Sequence, residues 1–314
     1  MATDYQKLID EETWAFIDRT NSFYPEDAVD RTMAEQRRTY DRMCREFHSG
    51  YPDSVTAEDR AVPNGNHAVP VRHYRHARPD HGALILYFHG GGFVLGGLDS
   101  HDDVCAEICA GTGHDVVSVD YRLAPEHLHP AAYDDCLAAF RWAAETFERP
   151  VVLCGDSAGG NLAAAVAQTT RNAAQEAIGQ LLIYPGLGGN PNEGSYLAHA
   201  EAPLLTRRDL VFYKDVRTGG ADVGGDVTYA PLADRDCSGL PPTVIISAEC
   251  DPLSDDGRVY AERIEAAGGK AVWVNENGLV HGYLRARHSV ARAKASFARI
   301  VDELRMLGRR AWTH

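Results

Sequence analysis

The strongest constraint on this chain is a rhythm. Short apolar runs recur between longer segments with helical spacing. Ala83 to Phe88 (ALILYF), Val116 to Val119, Val151 to Cys154, Leu181 to Tyr184, Thr243 to Ala248 and Ala271 to Val274 read as strands. The first is a continuous apolar run, as expected for a strand covered on both faces. Asp103 to Ala110, Ala131 to Phe147, Leu162 to Ala174, Val259 to Ala267 and Ser289 to Leu307 read as the helices between and after them. Repeated strand–helix alternation predicts an α/β fold with a mainly parallel central sheet flanked by helices.

Two regions break the rhythm. Residues 1–49 carry apolar residues at helical spacing and no strand pattern, and Tyr51-Pro52 ends them. Two further strands, Val55 to Val62 and Val69 to Tyr74, flank the turn Pro63-Asn64-Gly65-Asn66. From Pro185 to Pro242 the chain is rich in Gly, Asn and Pro around one helix near Arg207 to Val216. A long irregular insertion in a compact α/β domain is commonly a lid. The expected organisation is therefore an N-terminal helical cap segment, 1–50, and a catalytic domain, 51–314. An insertion of about 186–230 contributes to the cap.

The totals exclude several function classes. A length of 314 residues, with 44% hydrophobic and 24% charged residues, suits an ordinary globular protein. A net charge of −14 repels phosphate backbones and anionic lipid, so neither nucleic acid nor a membrane is an expected partner. No apolar window is long enough for a membrane-spanning helix. The acidic, polar start MATDYQKLIDEETW lacks the pattern of a signal peptide, which makes a cytoplasmic location the expectation. Seven scattered cysteines without a C-x-x-C pair argue against a disulfide framework or a zinc ribbon. Cys105 and Cys109 share a helix face by spacing, but two residues do not make a ligand set. The sequence leaves a homodimer open.

Chemistry enters at Gly155-Asp156-Ser157-Ala158-Gly159, between a predicted strand and a predicted helix. A serine hydroxyl is a weak nucleophile at neutral pH and needs a base, a partner to orient that base, and donors for the oxyanion it creates. G-x-S-x-G at a strand-to-helix junction is the setting of a nucleophile elbow, although serine is also a favoured helix cap. A second feature agrees with the first. His89-Gly90-Gly91-Gly92-Phe93 directly follows ALILYF, where a glycine run lets backbone N–H groups face a substrate oxygen.

The acid and base should follow the serine in chain order. After the strand Thr243 to Ala248 the candidates are Glu249, Asp251, Asp255 and Asp256. Asp255 and Asp256 fall where a helix should start, so capping explains them, and Asp251 is preferred with Glu249 in reserve. Three histidines follow: His281, His288 and His314. His314 is terminal and His288 opens the last helix. His281 follows a strand and the short loop NGLV, a position from which an imidazole can reach back to Ser157.

These motifs form a set. HGGGF, YRLAPE (Tyr121 to Glu126), GDSAGGN, DPLSDDG (Asp251 to Gly257) and HGY (His281 to Tyr283) together resemble the hormone-sensitive-lipase-like, bacterial family IV carboxylesterases of the α/β-hydrolase fold. That resemblance implies Ser157 as nucleophile, Asp251 as acid and His281 as base, with oxyanion donors on the backbones of Gly91, Gly92 and Ala158. It also implies a helical cap, no metal or organic cofactor, and a small-molecule ester of short-to-medium acyl length as substrate. Trp14, Phe16, Phe212 and Tyr213 are expected to make that cap compact. The same motifs occur in amide-cleaving relatives and, with an incomplete triad, in proteins resembling plant gibberellin receptors. Tyr121, Arg122 and Glu126 brace the floor of the site or form ordinary loop pairs. Asp156 bonds nearby loops or simply favours its helix N-terminus.

Overall fold

The computed structural model describes residues 3–25, 31–80 and 82–314. Three helices come first: α1 (Tyr5–Leu8), α2 (Glu11–Asn21) and α3 (Met33–Phe47). Of the expected helical segment, residues 1–2 and 26–30 lie outside the described part. Asp10 caps α2, its carboxylate accepting the Thr13 N–H at 2.9 Å. Thr32 and Glu35 form a reciprocal capping box at the start of α3.

An eight-stranded sheet follows. Its strands are β1 (Val55–Asn64), β2 (His67–His76), β3 (Leu84–Phe88), β4 (Asp115–Val119), β5 (Val151–Asp156), β6 (Ala177–Ile183), β7 (Thr243–Cys250) and β8 (Ala271–Val280). The order across the sheet is β1-β2-β4-β3-β5-β6-β7-β8. β1 pairs antiparallel with β2, and β2 with β4; every later pairing is parallel. The helices between strands are α4 (Asp102–Thr112), α5 (Ala131–Phe147), α6 (Ala158–Thr170) and α9 (Ser254–Ala266); α10 (Ala291–Gly308) closes the chain. The insertion carries α7 (Ser195–Ala198) and α8 (Arg207–Thr218).

The apolar runs become the centre of the sheet because both faces are covered. All residues of β3, β4 and β5 are buried. One core lies under α4 and α10, the other under α5, α6 and α9. The sequence AGGNLAAAVAQTT lets α6 sit close to the sheet, since its side chains are small and nearly the whole helix is buried. The seven cysteines are free and all buried, so they pack as small apolar residues.

One strand exceeds its sequence signal. β8 runs on through Asn277-Gly278 to Val280, where a loop was expected. Gly278 adopts φ +66°, its N–H donates to Glu249 Oε2 at 2.7 Å, and the pairing with β7 shifts register between Ala248 and Cys250. A bulge thus absorbs a turn signal that would otherwise end the strand.

Candidate active site

The carboxyl ends of β3, β5, β7 and β8 share one edge of the sheet, where open α/β sheets hold their ligands. β5 stops at Asp156 and α6 starts at Ala158, so Ser157 alone makes the turn. Its backbone lies at φ 55°, ψ −116°, a region that costs a side-chain-bearing residue about 1–3 kcal/mol. The Ser157 N–H donates to the Ile183 carbonyl at 2.8 Å and ties the turn to β6. A Cβ on Gly159 would overlap the Phe88 carbonyl, so only glycine lets the helix begin this near β3.

The Ser157 hydroxyl makes no capping bond. It meets His281 Nε2 at 2.8 Å, and His281 Nδ1 meets Asp251 Oδ2 at 2.7 Å. A carboxylate can only accept, so Nδ1 carries a proton and Nε2 is left to accept from the serine. Asp251 is fully buried, and its Oδ1 accepts the Leu253 N–H at 2.9 Å. Glu249, held in reserve at sequence level, is engaged by Gly278 instead. His288 pairs with Glu107 on the surface, and His314 lies near Glu303.

The glycine loop after β3 is shaped from beneath. A Cβ on Gly91, at φ +126°, would strike the Leu95 carbonyl. The N–H groups of Gly91, Gly92 and Ala158 find no protein acceptor among the described residues. His89 is sealed beneath the loop and stacks on Tyr121 with ring centroids 4.3 Å apart. Burial, together with the neighbouring His101, pushes its pKa down to about 4, so the ring is neutral at physiological pH. Its Nδ1 donates to the Gly90 carbonyl at 2.8 Å, and the Tyr121 hydroxyl donates to the His89 carbonyl at 2.7 Å.

Asp156 joins this loop to the serine turn. Its Oδ1 accepts the Tyr87 hydroxyl and the Gly90 N–H, both at 2.8 Å. Its Oδ2 accepts His101 Nε2 at 3.3 Å and the Tyr184 hydroxyl at 3.4 Å. Burial alone would raise its pKa, but the His101 ring and the Tyr87 hydroxyl outweigh burial and hold the carboxyl well below its usual range. Asp156 is a charged keystone rather than a simple helix-end charge.

A family model for the alpha/beta hydrolase fold matches residues 85–285, the span that holds every element of this arrangement. The chain belongs to the hormone-sensitive-lipase-like group of the α/β-hydrolase family. Among similar proteins, carboxylesterase NlhH of Mycobacterium tuberculosis is 42% identical over 240 residues, covering 72% of this chain and 75% of the relative. An ethyl acetate hydrolase of Pseudomonas putida is 34% identical over 267 residues, covering 81% and 83%. Among solved structures, a serine-to-alanine mutant of LAE6, an alpha/beta hydrolase from the metagenome of Lake Arreo, superposes with a TM-score of 0.88. It is 30% identical, with 97% of this chain and 99% of that chain covered.

In this α/β-hydrolase the helices before β1 and the insertion after β6 meet above the site. The Thr3 hydroxyl donates to the Ala198 carbonyl, and Tyr5 bonds His199. Arg37 of α3 donates to the Val94 and Ala124 carbonyls, both at 2.9 Å, and pairs with Glu126. Glu126 thus serves a cap contact, while Arg122 pairs with Asp135 on α5. Arg217 of α8 lies between the rings of Phe93, at 3.5 Å, and Tyr229, at 4.3 Å. Burial pushes its pKa down to about 10.

Of the four aromatics expected to pack the cap, only Tyr213 reaches the site, where its ring abuts Gly92. Phe16 belongs to the main core with Trp14 packed against it, and Phe212 is exposed. Asp256 departs from its expected role as a helix-start charge. It is buried, and its Oδ2 accepts the N–H groups of Leu187 and Gly189 and the Tyr196 hydroxyl, fastening the insertion to α9. No sequence signal marked Arg217 or Arg37, and none gave Asp256 this role, because each acts across the cap boundary. Among the described residues no group of three His, Cys, Asp or Glu side chains could hold a metal ion, and no helix is long and apolar enough to cross a membrane.

Proposed function

We propose that the chain is a serine carboxylesterase acting on short-to-medium acyl esters through an acyl-enzyme. Its enzyme class is that of its relatives, the carboxylic ester hydrolases. Ser157 is the nucleophile, His281 the general base and Asp251 the group that orients and stabilises the imidazolium. The single observation that carries this reading is the two-bond relay of 2.7 and 2.8 Å through His281.

The steps follow from that geometry. His281 Nε2 takes the serine proton as Oγ attacks the ester carbonyl. The carbonyl oxygen gains charge and is met by the N–H groups of Gly91, Gly92 and Ala158. The imidazolium then gives its proton to the departing alkoxide, which leaves as alcohol. Water enters, loses a proton to His281 and attacks the acyl-serine, and the acid is released with Ser157 restored.

Residues 1–50 and about 186–230 act together as the cap. Tyr213, pressed against Gly92 and packed near Tyr196, Leu205 and Leu253, supports a pocket for short chains. The test is a series of 4-nitrophenyl esters from acetate to palmitate, run on the native protein and on Ser157→Ala. Hydrolysis should favour the short and medium esters, and Ser157→Ala should lower kcat by about 10⁶-fold. A palmitate preference would overturn the chain-length reading, and near-native activity in Ser157→Ala would overturn the mechanism.

A further inference from the structure

The 3-10 turn Tyr283–Ala286, which begins two residues after His281, carries an arginine in an unusual setting. Arg285 Nη2 donates to the Tyr40 hydroxyl at 2.7 Å and approaches Cys44 Sγ at 3.0 Å, both on α3. Its guanidinium carbon lies 5.0 Å from the Tyr40 ring centroid. Its Nε is buried and has no partner. Among the described residues no carboxylate pairs with it, although acids outnumber Lys and Arg by 45 to 31 in the chain. By contrast, Arg287, two residues on, is held by both Asp103 and Glu107. Arg217 also lacks a carboxylate, but two rings enclose it, and the Tyr229 carbonyl and Asn161 Oδ1 accept from it.

The surroundings of Arg285 supply further donors and few acceptors. The Tyr40 hydroxyl accepts from Arg285, and no described acceptor takes its own proton. The hydroxyls of Tyr24 and Tyr213 likewise have no hydrogen-bond partner among the described residues, and both side chains are partly buried. Apart from the buried Arg285 Nε these donors are not sealed off, so an acceptor from outside the chain can reach them. The cluster borders the reacting atoms. Tyr213 abuts Gly92, and the Tyr184 ring packs 4.8 Å from the His281 ring. Tyr24 and Tyr213 both pack against the buried cluster that holds Tyr40 and Cys44, the two partners of Arg285.

We propose that Arg285, with the hydroxyls of Tyr24 and Tyr40, forms a subsite for a carboxylate on the substrate, so that the enzyme prefers esters bearing a second, ionised acid group. This rests on the esterase reading above and specifies its substrate class. A molecule of net charge −14 repels an anion in solution, and a local cation with hydroxyl donors nearby is what would seat one.

The test compares kcat/KM, by pH-stat at pH 7.5, for two matched pairs. Ethyl hydrogen glutarate against ethyl pentanoate places the carboxylate on the acyl side. 3-Acetoxypropanoate against butyl acetate places it on the alcohol side. In the native enzyme one pair should show a charged-to-neutral ratio that Arg285→Met lowers by about ten- to hundredfold, with Arg285→Lys recovering part of it. Tyr24→Phe, which removes a single hydroxyl, should lower the same ratio by about three- to tenfold. Hydrolysis of the neutral members reports the esterase reading; the ratio reports the subsite. A ratio that neither Arg285→Met nor Tyr24→Phe changes in either pair overturns the subsite. If Arg285→Met is insoluble, the Tyr24→Phe ratio decides.

Discussion

Replacing Asp156 tests whether one buried carboxylate holds both halves of the proposed catalytic apparatus. In Asp156→Ala four donors lose their acceptor: the Tyr87 hydroxyl, the Gly90 N–H, His101 and the Tyr184 hydroxyl. Each buried donor left unpaired costs about 1–3 kcal/mol, with the two 2.8 Å bonds toward the upper end, so the total is about 4–8 kcal/mol. That is a large part of the net stability of an ordinary domain. A chain of 314 residues loses about 0.7 kcal/mol per degree near its midpoint, which converts the loss into a fall in Tm of about 6–12 °C. Asp156→Asn keeps an oxygen for Tyr87 and Gly90 and forfeits mainly the charge, so its Tm should fall by only about 2–4 °C.

The catalytic consequence has a distinct signature. Gly90 adjoins Gly91, so releasing its N–H from Asp156 displaces proposed oxyanion donors without touching Ser157 or His281. Loss of one such donor lowers kcat by about 10²–10³-fold, while KM is expected to change little. Thermal denaturation and initial rates on 4-nitrophenyl acetate, measured on both variants, provide the comparison. An Asp156→Ala protein that melts within a degree of the native enzyme and keeps kcat within about threefold would refute the reasoning.

Two further outcomes follow from the cap. Burial pushes the Asp256 carboxyl up to about 7. The native state therefore holds that proton more tightly than the unfolded chain, and stability should fall as pH rises from about 4 to 7. Between pH 5 and 8 the loss is about 3 kcal/mol, or about 4 °C in Tm. Asp256→Asn should flatten this component, and parallel Tm profiles for the two proteins would count against it. Arg217→Met removes a cation held between Phe93 and Tyr229, so Tm should fall by about 3–6 °C and kcat by about tenfold as Phe93 and the adjoining glycine loop relax. Unchanged values for both would show that the sandwich is dispensable.

The layered architecture was legible because it depends on local pattern. Apolar runs such as ALILYF and VVLC are too short for helices and fit strands covered on both sides, and they occupy the centre of the sheet. Ser157, Asp251 and His281 could be picked out because chain order and strand ends constrain them, and the structure brings the three together. What stayed hidden depends on pairing between distant segments. GDSAGG gives no sign that Asp156 reaches back to Tyr87 and Gly90. Nothing in SDDG distinguishes the half-buried partner of Arg258 from the fully buried anchor of residues 187–189. β8 outruns its sequence signal because Asn-Gly ordinarily marks a turn, whereas here the Glu249 contact holds it as a bulge.

The cap also bears on how the molecule is assembled. Its first helices are synthesised early, yet α2 rests on β8, and the Ala291 N–H donates to Glu12 across 279 residues. Tyr40 likewise waits for Arg285, 245 residues later. Closing such long loops is entropically slow. During translation those helices lack these docking surfaces until β8 and the residues up to Ala291 have left the ribosome. Docking of the cap helices is therefore coupled to synthesis of β8 and of the segment that carries Arg285 and Ala291.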